Sequence, residues 1–270
     1  MIREILLSTL KSAKKLSSEI ETLLIHGMYP PVHTRDVEPR KWYANYVITY
    51  VERDLRQLLS IKDLSVFQRF LRMCAARTGQ LLNLSALGAD CGISHNTAKA
   101  WLSVLEASYI VFLLKPHHQN FNKRLVKMPK LYFYDAGLAA YLLGIHSSGQ
   151  IAVSSMRGPL FETFIISELM KIRLNKGLPS NLFFWRSNAG DEIDVIIEKN
   201  QTLIPVEIKA GQTVSQDFFK GLVKWQNIAG GAASKGMLIY AGAQSYEKQE
   251  GHVVSWKDIG LIETRQAKKR

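Results

Sequence analysis

The residues best suited to chemistry lie in the stretch GDEIDVIIEKNQTLIPVEIKAG, from Gly190 to Gly211, where two short apolar segments retain Asp194, Glu207 and Lys209. Alternate side chains of a strand share a face, so Glu207 and Lys209 point one way while Val206 and Ile208 point the other. If the segments form a hairpin turning at Asn200 and Gln201, Lys199 faces Thr202, and counting back sets Asp194 opposite Glu207. Asn-Gln is a weaker turn than Asn-Gly and Pro205 removes a ladder donor, so the register is the critical expectation: a slip of one residue undoes the pairing. Opposed carboxylates on carbons roughly 4.5–5.5 Å apart repel. Three compensations are open: one acid keeps its proton, Lys209 neutralises the pair, or a divalent cation sits between hard carboxylate oxygens.

With a cation on Asp194 and Glu207, a phosphate oxygen and a water are brought together, and Lys209 is placed to orient or activate that water and to offset charge developing at phosphorus. That is phosphodiester hydrolysis. The structural alternative is a salt-bridged strand pair at a sheet end. Trp185 and Arg186, at the end of a neighbouring strand-like segment, either stack on substrate or belong to the core.

The elements that must position these residues follow from the pattern. Strand-like LFFWR, EIDVIIE and TLIPVEIK precede helix-like SQDFFKGLVKWQNIAG and strand-like GMLIYA, which predicts a small mixed sheet with helices packed on it. Upstream, GPLFETFIISELMKIRLNKG reads as a helix, with Gly158 and Pro159 at its start and Gly177 past its end. Residues 1 to about 80 read as mostly helical around a loop, HGMYPPVHTRDVEPRKW; an apolar stripe on Val66, Phe70 and Met73 or Cys74 marks a helix that Gly79 stops. Between these regions, Ser85 and Ser94 are expected to cap two helices flanking a turn at Gly92, the pattern of a helix-turn-helix.

Strand-like YIVFLL and KLYFYD then flank a basic loop carrying Lys123, Arg124, Lys127 and Lys130, as in a winged variant. On the second helix His95, Asn96, Lys99 and Ser103 are the groove-facing candidates if this module binds DNA. Lys123, Arg124 and Lys127 suit phosphate contact, which needs no sequence code. A protein-contact or packing role is the alternative for such a module. His117 and His118 read as solvated loop residues, and Arg53 and Asp54 as charges on an exposed helix face or as a contact to a further domain.

Thirty-five Lys and Arg against 23 Asp and Glu leave a formal charge of +12, which favours a polyanionic partner such as nucleic acid. Cys74 and Cys91 are too few for a disulfide framework or a zinc site, so the cytoplasm is the expected compartment. The N-terminus lacks the unbroken apolar core of a signal peptide, and no run of about 18 apolar residues points to a membrane span.

EIDVIIE…PVEIKAG, preceded by a helix bearing Glu162, resembles the PD-(D/E)xK nuclease superfamily of restriction-endonuclease-like folds. The resemblance implies Asp194 and Glu207 as ligands of magnesium or manganese, Lys209 as the catalytic lysine and Glu162 as the helix-borne acid. Glu168, six residues on, competes for that last role. Longer blocks, among them HGMYPPVHTRDVEPRKWYANYVITYVERDLRQLL and NKRLVKMPKLYFYDAGLAAYLLGI, are similar to the C-terminal half of a group of prokaryotic AAA-type ATPases. There, a domain of unknown function with a winged helix and a nuclease-like fold follows the ATPase core.

The resemblance implies a mixed α/β chain, α+β overall: a helical linker over 1–64, a winged helix over 65–145 and a nuclease-like domain over 146–270. No G-x-x-x-x-G-K-[ST] loop occurs, so ATP hydrolysis by this chain alone is not expected. Residues 1 to about 30 are then expected to be a remnant that follows a missing ATPase core. The partners implied are DNA and an ATPase. Two further readings are a noncatalytic interaction module and a winged-helix transcription regulator.

Overall fold

The structure, a computed structural model, describes residues 19–54, 63–117, 126–200 and 202–262, with side chains omitted for 51–54. They form a mixed α/β protein: a helical N-terminal part and a mixed sheet flanked by helices. The chain divides into two compact units, residues 1–113 with 130–164 and residues 114–129 with 165–270. Apart from residues 114–129, the segments expected as 1–64 and 65–145 lie in the first of these units, which runs on to Phe164.

In the first unit, α1 (Ile20–His26), α2 (Pro30–Thr34) and α3 (Pro39–Tyr46) lead into a π-helical stretch, Val47–Asp54. The segment expected as a loop therefore contains two short helices. Pro30 and Pro39 start them rather than break them, because an N-terminal position has no hydrogen bond for proline to lose. Helix α4 (Leu64–Ala76) is capped by Asp63 and buries Phe67, Phe70, Leu71 and Cys74. Phe70 and Cys74 of the expected stripe are thus buried, while Val66 and Met73 are only partly so and Phe67 and Leu71 complete the inner face.

Helices α5 (Leu84–Cys91) and α6 (His95–Ala107) are joined through Gly92, whose φ of 70° is the left-handed turn the sequence anticipated. Ser94 caps α6 as expected, but Asn83 rather than Ser85 caps α5, by accepting the Ala86 N–H. Strands β1 (Val111–Leu114) and β2 (Lys130–Phe133) form a two-stranded sheet, followed by α7 (Ala136–Leu142) and α8 (Ser148–Val153). Buried Asp135 ties this unit together: it accepts the Leu138 N–H at the start of α7, the Tyr43 hydroxyl at 2.6 Å and the Met28 N–H at 2.6 Å. Gly27 and Gly137 leave room for that clasp, since a Cβ at either would lie within 2.4 Å of the Tyr43 hydroxyl.

Helix α9 (Arg157–Leu174) leads to β3 (Leu182–Arg186), β4 (Glu192–Lys199) and β5 (Thr202–Lys209). After a 3₁₀ turn comes α10 (Lys220–Ala229), then β6 (Met237–Tyr240), β7 (Tyr246–Glu247) and β8 (His252–Ser255). The sheet order is β3-β4-β5-β6-β8-β7, with β5, β6 and β8 parallel and the remaining pairs antiparallel. Helix α10 makes the crossover from β5 to β6, and its Leu222 and Trp225 pack with Trp185, Ile196, Leu203 and Leu238 in the core. Trp185 is wholly buried and meets Trp225 edge to face, so it is a core residue and offers no stacking face to a substrate. Neighbouring Arg186 is partly exposed and pairs with Glu192 at 3.0 Å.

Candidate active site

The β4–β5 hairpin has the register read from the sequence: Lys199 pairs Thr202, Ile197 pairs Ile204 and Val195 pairs Val206. Asn200 enters the turn with a φ of 49°, the left-handed conformation that a tight two-residue hairpin requires. Pro205 does not disturb the ladder, because the hydrogen-bonded pairs alternate outward from the turn. Pro205 opposite Ile196 is then a non-hydrogen-bonded pair, its nitrogen faces away from β4, and the β6 ladder begins only at Val206.

The paired register ends at Val195 and Val206, where the two carboxylates enter. The Asp194 carboxylate accepts the Ile208 N–H at 2.8 Å, so a side chain occupies a donor that continued strand pairing would otherwise use. Lys209 Nζ donates to Glu207 Oε2 at 2.6 Å and lies 3.6 Å from Asp194 Oδ2. Asp194, Glu207 and Lys209 therefore converge in the second unit as the spacing predicted. Glu207 is the most buried of the three, with 8% of its side chain exposed against 15% for Asp194 and 33% for Lys209.

Burial, and then the adjacent Asp194 charge, push the Glu207 carboxyl up to about 8, against a partial downward pull from Lys209. Two of the three compensations the sequence left open thus operate together: Glu207 favours its protonated form, and Lys209 bridges both acids. Gly221, in the first turn of α10, was not singled out by sequence reasoning. A Cβ there would lie 2.6 Å from Glu207 Oε1, so any larger residue would have to displace this carboxylate. A glycine just inside a helical pattern was the available signal.

Among the described residues no group of three or more His, Cys, Asp or Glu side chains is arranged to hold an ion. The site offers two carboxylates, an all-oxygen donor set that suits magnesium, which keeps several waters and commonly binds through one or two carboxylates. It does not suit zinc, which prefers nitrogen and sulfur.

The other candidate residues have their own contacts. Glu162 belongs to the first unit, where it accepts the Tyr132 hydroxyl and pairs with Lys130 at 3.4 Å. Lys130, expected in the basic loop, is instead a buried residue of β2, because Glu162 offsets its charge there. Glu168 pairs with Lys171 one turn along α9. His95, Asn96, Lys99 and Ser103 are exposed on α6 while Ala98, Trp101 and Leu102 face inward, and His95 contacts Ser85 Oγ at 3.2 Å.

Lys127 is exposed; Lys123, Arg124 and His118 lie outside the described residues, as do the side chains of Arg53 and Asp54. His117, expected to be solvated, is buried. Its backbone N–H bonds to the Phe184 carbonyl beside β3, and its ring packs edge-on against Phe183. Cys74 and Cys91 are free and buried. No described helix is long and apolar enough to cross a membrane.

Residues 17–149 match the model of a domain of unknown function, DUF8612, and residues 157–259 that of a second domain of unknown function, DUF4143. Uncharacterized proteins of Mycobacterium tuberculosis and Mycobacterium bovis are each 29% identical to the chain over 201 residues. Those matches cover 74% of this chain and 45% of either relative, so the chain spans less than half the length of the curated relatives it matches. No solved structure gives a significant match. The chain thus matches, in order, two domains of unknown function whose junction, between 149 and 157, precedes the helix leading to the carboxylate-bearing hairpin.

Proposed function

We propose that the second unit is a magnesium- or manganese-dependent nuclease-like module of the PD-(D/E)xK type that cleaves phosphodiester bonds in DNA. The observation that carries this reading is the convergence of Asp194, Glu207 and Lys209 on one end of the β4–β5 hairpin, with Glu207 held close to neutral by its surroundings. A divalent cation on Asp194 and Glu207 would supply Lewis acidity toward a phosphate oxygen. Glu207 would hold that cation as a carboxylate. Lys209 would orient the attacking water and offset charge at phosphorus. The exposed face of α6, with His95, Asn96 and Lys99, and the exposed Lys127 supply DNA contacts to backbone and groove. The similarity to the C-terminal half of AAA-type ATPases points to an ATPase as partner, within a cytoplasmic DNA-handling system.

A second reading is favoured by the same hydrogen bonds. The Ile208 N–H and Lys209 already satisfy Asp194 and Glu207, which is how a noncatalytic interaction module would close a sheet end. The discriminating experiment incubates the protein with single-stranded, duplex and branched DNA in magnesium or manganese, beside Asp194→Ala and Lys209→Ala. Cleavage by the parent alone supports the nuclease reading. If no substrate is cut, or if the variants cut equally well, the noncatalytic reading takes its place.

A further inference from the structure

A second cluster of chemistry lies in the first unit and plays no part in the hairpin site. Arg40, Val47, Gln68, Leu71, Arg72, Tyr141 and His146 are among the residues lining a groove of about 420 Å³. A smaller cavity of about 170 Å³ shares Arg40, Tyr141 and His146 with it. Among the described residues, the lining of the larger groove includes no acidic side chain. Glu38, which lines the smaller one, is paired with Lys41 at 3.3 Å. Among the described residues neither guanidinium has a carboxylate partner: Arg72 contacts only the Gln68 carbonyl of its own helix, at 3.4 Å.

Val47, Leu71 and Leu142 add apolar lining, and the aromatic side is held in place. Tyr141 stacks on Tyr43, with ring centroids 6.0 Å apart, and Tyr43 is fixed by its hydroxyl on buried Asp135. His146 lies beside Tyr141, and burial together with nearby Arg40 holds its imidazole below the ordinary histidine range. Guanidiniums without a carboxylate partner attract an anion, and their forked donors match phosphate oxygens. The volume falls in the range of small-ligand sites, roughly 300–1,000 Å³.

We propose that this groove binds a nucleoside monophosphate, free or as the phosphorylated end of a DNA strand, through Arg40 and Arg72 on the phosphate and Tyr141 beside the base. Phosphate is favoured over a peptide carboxylate because two guanidiniums line one small groove beside an aromatic face.

The test is calorimetric titration, in chelator, of the full chain with three probes: AMP, a 5′-phosphorylated single-stranded oligonucleotide with its 5′-hydroxyl counterpart, and poly-glutamate. The expected result is binding of AMP, of the phosphorylated strand, or of both, weakened at least about tenfold in an Arg40→Gln/Arg72→Gln double variant. A Lys220→Gln/Lys257→Gln control, which removes the same charge from exposed positions, retains parental affinity. Binding of AMP with the strand identifies the nucleotide itself; binding of the phosphorylated strand alone identifies a strand end. The proposal is overturned if neither phosphate probe binds, if both double variants weaken binding equally, or if poly-glutamate binds as well as the nucleotides do. Both arginines are exposed, and a circular-dichroism melt confirms that each variant folds.

Discussion

Replacing Glu207 by Gln tests the electrostatics of the hairpin site without metal or substrate. The amide copies the neutral acid in shape and charge. A carboxyl whose folded pKa is raised stabilises the fold fully below its unfolded value, and that contribution is lost as pH rises through the folded value. Here the window runs from the ordinary 4.5 to about 8. Within it the parent protein loses stability relative to Glu207→Gln at a limiting rate of about 1.4 kcal/mol per pH unit. At about pH 7 the accumulated difference is on the order of 3 kcal/mol, a limit that protein relaxation lowers. The assay is urea unfolding of both proteins in chelator at several pH values from about 5 to 8; titrations common to both cancel in the difference. A difference that stays flat across this range refutes the reasoning, since it means that the folded protein ionises Glu207 as readily as the unfolded chain does.

Gly221→Ala is expected to push the Glu207 carboxylate aside, weakening magnesium binding in calorimetry by about tenfold or more while shifting Tm by only a few degrees. Asp194→Ala removes the acceptor of the Ile208 N–H, so hydrogen exchange at that amide accelerates and stability falls by about 1–3 kcal/mol in urea unfolding. Tyr43→Phe deletes one of the donors to buried Asp135 and costs about 1.5–3 kcal/mol by the same measurement; an unchanged midpoint shows that the clasp on α7 contributes nothing.

Much of the candidate site was legible because a hairpin is a local device. Its register depends on two turn residues and on apolar alternation, both visible in sequence, so Asp194, Glu207 and Lys209 could be brought together by counting. Gly221 and the Asp135 clasp were not legible, because each depends on contacts between segments that no period links. Strands β7 and β8 escaped for another reason. The two residues of β7 are too few to show a pattern, and the run around Val253 and Val254 is short. The helices at Pro30 and Pro39 were hidden by prolines that read as breakers when helix starts and helix interiors are not distinguished. Lys130 and His117 were misplaced because a basic or aromatic-polar type predicts exposure only on average, and Glu162 and the Phe183 ring give these two buried surroundings.

The turn at Asn200 also has a consequence for how the protein can change over time. Its conformation sets the stagger of two strands, and the carboxylates sit about 17 Å along them, at the far end of the ladder. A one-residue slip in that stagger would rotate every side chain of one strand to the opposite face and separate the acids. An added residue spares the site only where the turn absorbs it as a longer loop. Any descendant that keeps this chemistry must therefore conserve the register that sets Asp194 opposite Glu207, even where the intervening side chains drift.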